Sequence, residues 1–393
     1  MTEYLTTGRG PTAAARPPAG PQRPSGPDAD PDRPGPIRRT ARLLGRVRWL
    51  WAATWFWLAL TLIHLVLSGR WWPMLIPDLA PPLVYTAVPL LLVAAAVVGR
   101  LRRAAPPHRV TWTTVAGAVV ALVLGWNSSG VQWGVLFHDS ASGTPDLRVV
   151  SWNTRFWGGD TDRAVFYRTI RERRADVYLL QEYITTHDNG ATAEPVDELA
   201  QLRKNFPGYH IIVRGELVTL SRLPVVSAHS VGPGAGVEHG QAPWQTEFDR
   251  EKVLRTDVRV GGHTVSLYNV HVPVQINMGV SPLGSRLYRM MHANERARKA
   301  QFEGLTDDLR ANALPTVVAG DFNTSPVMGD LRTLRGRMRD AADAGDSLFP
   351  ASWGHLWRLD WAFLSGSIAA DHYRIDPMDG ISDHRAQIMS FTL

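Results

Sequence analysis

The sequence predicts an α/β protein: a four-layer sandwich of two mixed β-sheets flanked by helices, preceded by three transmembrane helices. Three observations predict it. Trp49–Leu67, Leu83–Val98 and Val110–Trp126 are apolar and free of charged residues, and a spanning helix needs roughly 20 such residues. From Leu147 the pattern changes to short β-like runs with only occasional polar helices, more strand than a simple doubly wound sheet carries. Polar, chemistry-bearing residues then gather where those runs end.

In chain order, residues 1–36 are rich in Pro, Gly, Ala and Arg and nearly empty of bulky apolar residues. Such a segment cannot bury a core and reads as a disordered cytoplasmic head. It is too long and polar to open a signal peptide. Residues 37–126 read as a membrane anchor with spans at about 49–67, 83–98 and 110–126. The interruptions by Trp49, Trp51, Trp71, Trp72 and Trp126 suit interfacial anchors. Arg38, Arg39, Arg42, Arg46 and Arg48 precede the first span, and Arg100, Arg102, Arg103 and Arg109 fill the turn between the second and third. Only Arg70 lies between the first two. Positive residues stay inside, so the N-terminus is expected in the cytoplasm. Three crossings then put everything after Trp126 outside the plasma membrane. A soluble bundle of helices is the alternative.

Charge divides the same way. Residues 1–146 hold 14 Lys+Arg against 7 Asp+Glu, and residues 147–393 hold 28 against 29. The formal charge of +6 therefore belongs to the anchor. The C-terminal part lacks the overall positive charge of a strong duplex-DNA binder. There is no cysteine, which excludes disulfides and thiolate metal sites.

Residues 127–146 read as a linker and 147–393 as the catalytic domain. Strands are expected at Leu147–Trp152, Asp176–Leu180, Ile211–Val213, Leu217–Ser221, Val253–Val260, Thr264–Val270, Thr316–Ala319, Leu359–Leu364 and Ala386–Thr392. Helices are expected at Asp162–Arg173, Glu194–Asn205 and Asn294–Arg310, the last with Phe302, Leu305 and Leu309 on one face.

The stretch Val317–Pro326 organises the chemistry. Gly320 ends a buried strand, and Asp321 and Asn323 follow on one side of it. A carboxylate beside a carboxamide suits a hard cation, an attacking water or a phosphoryl oxygen, and also suits a plain polar turn. Four further groups close other runs: Ser151-Trp152-Asn153, Gln181-Glu182, Tyr268-Asn269-Val270-His271, and the pair Arg358-Leu359-Asp360-Trp361 with Ser382-Asp383-His384. Asp360 also fits a strand-end turn, Asn153 a buried amide and His271 a packed histidine.

In this order these motifs resemble the endonuclease/exonuclease/phosphatase superfamily, which includes DNase I-like nucleases, neutral sphingomyelinases and inositol polyphosphate phosphatases. The resemblance covers about Leu147–Leu393 and implies metal-dependent hydrolysis of a phosphoric ester or pyrophosphate. It implies Mg²⁺ (or Mn²⁺) held by Glu182 with Asn153 and Asp383. Asp321 would orient the nucleophilic water and Asn323 would bind phosphoryl oxygens. His384, oriented by Asp360, would be general base or electrostatic stabiliser, and His271 would donate to the phosphate or assist the leaving group. Arg155 stands where some DNA-repair members carry an acidic residue, which argues against that role.

Val272–His292 mixes Val274, Ile276, Met278, Val280 and Leu283 with Arg286 and Arg289. It reads as a specificity segment whose arginines bind substrate at a lipid headgroup layer. The three spans, basic Pro-rich head and exported domain resemble actinobacterial teicoplanin-resistance membrane proteins of the VanJ type. That implies a lipid-linked phosphate of the cell envelope as partner. An extracellular nuclease acting on nucleic acid, and a non-catalytic envelope binding protein, are the alternatives. Oligomeric state is not legible.

Overall fold

A computed structural model describes residues 36–101, 108–138, 144–187, 192–276 and 284–393, with the backbone alone for 36–47. Met278, Val280 and Leu283 lie outside the described residues, as does the head expected over residues 1–35. The chain falls into two compact units, Met1–Arg48 and Trp49–Leu393. The second holds all of the chemistry.

Three helices come first: α1 (Pro36–Leu67), α2 (Val84–Leu101) and α3 (His108–Gly125). Arg48–Leu67, Val84–Leu101 and His108–Ser128 are long and apolar enough to cross a membrane, and only 22%, 22% and 33% of these windows is buried within the protein. Phe56, Leu91 and Val123 stand exposed along them. Apolar surface on that scale needs a hydrocarbon neighbour. Gly117 lets α3 approach Thr54 of α1 closely, the small-residue packing that brings membrane helices together.

Fourteen strands follow: β1 (Leu147–Asn153), β2 (Val177–Gln181), β3 (Ile184–His187), β4 (Thr192–Pro195), β5 (His210–Arg214), β6 (Leu217–Ser221) and β7 (Val225–Ser230). Then come β8 (Val253–Val260), β9 (His263–His271), β10 (Thr316–Asp321), β11 (Arg339–Asp340), β12 (Asp360–Leu364), β13 (Ala369–Asp376) and β14 (Ala386–Thr392). They form two six-stranded sheets, ordered β13-β14-β1-β2-β6-β5 and β11-β12-β10-β9-β8-β7, with β3-β4 a separate hairpin. Both sheets are mixed: β1 runs parallel to β2, and β9 to β10.

Alternation along the strands builds the layers. Val149, Val177 and Leu179 of one sheet meet Val258, Leu267, Val317 and Ala362 of the other in the central core. The opposite face of β1 and β2 turns Val150, Trp152, Tyr178 and Leu180 towards Phe166 and Ile170 of the helix Arg163–Glu172 and Leu202 of the helix Leu199–Asn205. On the far side, Tyr268, Val318 and Phe363 pack against Phe302 and Leu305 of the helix Ser285–Ala311. The expected helix–sheet–sheet–helix sandwich is what forms.

The departures have local causes. The expected helix over 194–205 starts only at Leu199, because Thr192–Pro195 pairs with Ile184–His187. The last long helix begins at Ser285 rather than Asn294. There, Leu287 and Met291 are buried against Leu75 of the loop between the first two spans. Strands β7, β11 and β13 carried no sequence signal, being edge strands with one face towards solvent.

Candidate active site

Strand register assembles half of the site. Parallel pairing of β9 with β10 sets His271 beside Asp321, and antiparallel pairing of β10 with β12 sets Asp321 beside Asp360. Three neighbouring strands thus present an imidazole and two carboxylates along a single sheet edge. The close approach needs Gly320: with φ at +154°, a Cβ there would stand 1.9 Å from the Val270 carbonyl oxygen.

The facing sheet supplies the rest. β1 and β2 end together at Asn153 and Gln181, with Glu182 next. The Asn153 amide nitrogen donates to Glu182 Oε1 and Asp321 Oδ2, both at 2.9 Å, and so ties the sheets together. Arg155, Phe156 and Trp157 then form a left-handed turn, with φ of 51°, 54° and 53°. Each left-handed L-residue costs roughly 1–2 kcal/mol. The turn aims their N–H groups at Asn153 Oδ1 (3.0 Å), Glu182 Oε2 (2.9 Å) and the Glu182 carbonyl (2.9 Å). Backbone strain is spent on positioning these two side chains.

His384 arrives on the turn before β14, where Ser382 Oγ donates to the Asn153 carbonyl at 2.9 Å. Its Nδ1 is hydrogen-bonded to Asp360 Oδ2 at 2.9 Å, and its Nε2 lies 3.7 Å from Asp321 Oδ2. His271 mirrors it. Its Nε2 lies 3.7 Å from the same oxygen and 3.9 Å from Glu182 Oε1, while Nδ1 stands 3.0 Å from Glu216 Oε1, off hydrogen-bond alignment. Two carboxylate–imidazole pairs therefore converge on Asp321. Asn323, also left-handed, donates its N–H to Asp321 Oδ1 at 2.8 Å and its amide to the Val272 carbonyl at 2.9 Å.

Electrostatics follow from this packing. Burial disfavours a charged His384, yet Asp360 and Asp321 outweigh it and lift the pKa to about 10. Burial likewise opposes charge on His271, and Glu216 reverses it, so that pKa also rises. Glu216 is desolvated, but His271 and Lys252 hold it at about 2. Burial raises Glu182 and Asp321 despite the pull of His271 on the first and His384 on the second. Clustered oxygen donors that resist ionisation are what a hard divalent cation relieves, and the donor set fits one. Asp321, Asp360 and His384 also bring ligand atoms within 4.8 Å of one another.

Sequence reasoning missed several contributors. Glu216 lies in a two-residue hairpin turn and carries no motif. Arg298 is buried and donates to the carbonyls of Pro273 (2.6 Å) and Asn323 (3.2 Å) and to Thr324 Oγ1 (2.7 Å), fixing the Asn323 loop. Its signal was available: Arg298 occupies the apolar stripe shared by Gln301, Phe302 and Leu305. Gln181 and Asn269, quoted within motifs, instead clamp the sheets through a buried 2.7 Å bond.

A cavity of about 530 Å³ opens onto part of the cluster. It is lined by Glu182, Asp321, Asn323, Asp383 and His384, and also by Arg155, Phe156, Val274, Ile276, Met328, Trp353, Trp357, Asp78 and Leu79. Asp383 is half-exposed, 3.9 Å from the Arg155 guanidinium. Arg286 and Arg289 are exposed on the helix Ser285–Ala311, where Arg289 Nη1 donates to Ser285 Oγ at 2.9 Å, and neither lines the cavity.

The family model of the Endonuclease/Exonuclease/phosphatase family matches residues 150–384. The chain belongs to that family. Its members are in general phosphoester hydrolases that use divalent metal ions. Solved structures similar to it include an endonuclease/exonuclease/phosphatase from Beutenbergia cavernae DSM 12333, at 17% identity over 64% of this chain and 72% of that one, TM-score 0.46. Others are truncated Caenorhabditis elegans TDP2 (18%, 63% and 97%, 0.43) and the mannosyl-6-phosphatase Bt3783 of Bacteroides thetaiotaomicron (14%, 63% and 100%, 0.42). No protein with a curated description matches.

Proposed function

We propose that this chain is a membrane-tethered, Mg²⁺-dependent hydrolase of a lipid-linked phosphate or pyrophosphate, working outside the cytoplasm. The observation that carries the hydrolase reading is the convergence of His384–Asp360 and His271–Glu216 on Asp321. The cation would be held by Glu182, with Asn153 and Asp383 near it, and would neutralise charge on the phosphoryl oxygens. Asp321 accepts a proton from the attacking water. The water oxygen bonds to phosphorus as the bond to the leaving oxygen breaks. At neutral pH His384 holds protons on both ring nitrogens, so its Nε2–H serves as electrostatic stabiliser of the phosphoryl group rather than as base. His271 Nε2–H supplies the proton to the leaving oxygen. Asn323 steadies a phosphoryl oxygen.

The sidedness rests on two supports. The arginine distribution supports a cytoplasmic N-terminus. The domain after α3 also contacts the loop between α1 and α2: Gly329 N–H donates to Ser68 Oγ at 2.8 Å, and Arg332 donates to the carbonyls of Leu65 and Ser68. Two crossings, α2 and α3, would separate those parts, and an even number leaves them on the same side, in agreement with this contact. The near-neutral catalytic part and its exposed apolar residues favour a lipid over a nucleic acid. A cell-envelope role of the VanJ type fits this reading.

The test is phosphate release by full-length protein in detergent with Mg²⁺, offered undecaprenyl pyrophosphate, phospholipid and plasmid DNA in parallel. Turnover of the lipid pyrophosphate that disappears in Glu182→Ala supports the proposal. DNA nicking that falls steeply with salt, with no lipid turnover, sinks it in favour of a tethered nuclease. No turnover of any ester leaves a binding protein.

A further inference from the structure

The anchor does more than hold the catalytic domain. Asp78 and Leu79 belong to the loop between α1 and α2, yet they line the same cavity as Asp321 and His384. The loop is firmly placed. Asp78 Oδ1 receives Ser68 Oγ at 2.8 Å and contacts His64 Nε2 at 2.5 Å. Ser68 in turn receives Gly329 N–H, and Leu75 is buried against Leu287 and Met291. Asp78 Oδ2 is buried and without a partner among the described residues.

Apolar side chains also line this cavity, among them Leu79, Val274, Ile276, Met328 and Trp357. Val274 and Leu79 are 46% and 39% exposed, so both present hydrocarbon surface to whatever enters. Trp353, Phe349 and Leu356 are exposed as well, and the last two share a second, smaller cavity with Pro82 and Leu83 at the far end of the same loop. Apolar cavity walls supplied by the loop that joins two long apolar helices, beside the Asp321–His384 cluster, suit a molecule that is part hydrocarbon and part phosphate.

We infer that the loop Ser68–Leu83 is a wall of the active site, and that Leu79 with Val274 and Ile276 holds the first methylenes of a membrane amphiphile while its phosphate lies at Asp321 and His384. This rests on the hydrolase reading of that cluster. The anchor then selects substrate by hydrocarbon chain as well as tethering the enzyme.

The test uses full-length protein in nanodiscs with Mg²⁺ and measures binding of butyl, octyl and dodecyl phosphate. Each buried methylene contributes about a fourfold gain in affinity, so wild type should bind dodecyl phosphate at least about tenfold more tightly than butyl phosphate when two or more methylenes beyond the butyl length are covered. Leu79→Asp, and separately Val274→Asp, should flatten that series. Both positions are exposed, so the fold survives, and identical nanodiscs cancel chain partitioning into lipid. A chain-length series unchanged in both variants overturns the inference, as does a flat series in wild type. Phosphate release in wild type against Glu182→Ala is followed in parallel. Loss of turnover in Glu182→Ala beside an unchanged series rejects the wall but keeps the hydrolase. Unchanged turnover in Glu182→Ala rejects the hydrolase site itself.

Discussion

The two imidazole–carboxylate pairs at Asp321 look alike and are held differently. His384 makes an aligned 2.9 Å hydrogen bond to Asp360, and among the described residues no Lys or Arg forms an ion pair with that carboxylate, the Arg358 guanidinium being committed to Asp340 at 2.6 and 2.7 Å. Glu216, by contrast, is shared between His271 and a buried ammonium, Lys252. The first pair drives its ring pKa to about 10. The second also raises its ring pKa, while His271 and then Lys252 hold the carboxylate at about 2. The same residue types thus build one pair held by a direct hydrogen bond to the ring and one whose carboxylate is braced by a buried ammonium.

Asp321 is common to both pairs, so Asp321→Ala should have the largest effect. Phosphate release should fall by about 10³-fold or more; a loss under tenfold would mean that the pairs act independently. Next in size is the contrast in stability. Glu216→Gln strands Lys252 in the core and should cost about 3–5 kcal/mol in denaturant unfolding. Asp360→Asn leaves a ring that can shed its proton and should cost about 1–3 kcal/mol. Equal costs would erase the distinction.

The pH dependence separates the pairs further. His384 has a raised pKa, so its contribution is complete below the ordinary value of 6.5 and is lost as pH climbs through about 10. Glu216 has a lowered pKa, so its contribution is complete above 4.5 and is lost as pH falls towards about 2. Thermal unfolding without added metal should show both flanks, and Asp360→Asn should flatten only the alkaline one. Cation binding gives an effect of similar size to the Asp360→Asn change. Mg²⁺ at about 100 times its Kd should add about 2.7 kcal/mol, raising the melting temperature in wild type but not in Glu182→Ala.

Legibility followed chain distance. Asp321, Asn323, Asp360 and His384 announce themselves because each closes or opens an apolar run, where alternation forces polar residues to the sheet edge. Glu216 does not, since a turn glutamate between β5 and β6 is ordinary and its role depends on Lys252 arriving from another strand. The edge strands β7 and β13 were silent for a related reason: half of each faces water, so the apolar pattern that marks a strand is diluted.

By itself the sequence determined the class of fold, the three apolar helices and the strand ends that carry the chemistry. Those features are local, written in hydrophobic period and in residues within a few positions of one another. Only the tertiary structure decided which carboxylate meets which imidazole, that Arg286 and Arg289 stand away from the cavity, and that Asp78 and Leu79 enter it. Such contacts join residues 24 positions apart in His384–Asp360 and far more between Asp78 and the Asp321 cluster, and the packing of two sheets and the loop between α1 and α2, rather than any short-range preference, brings them together.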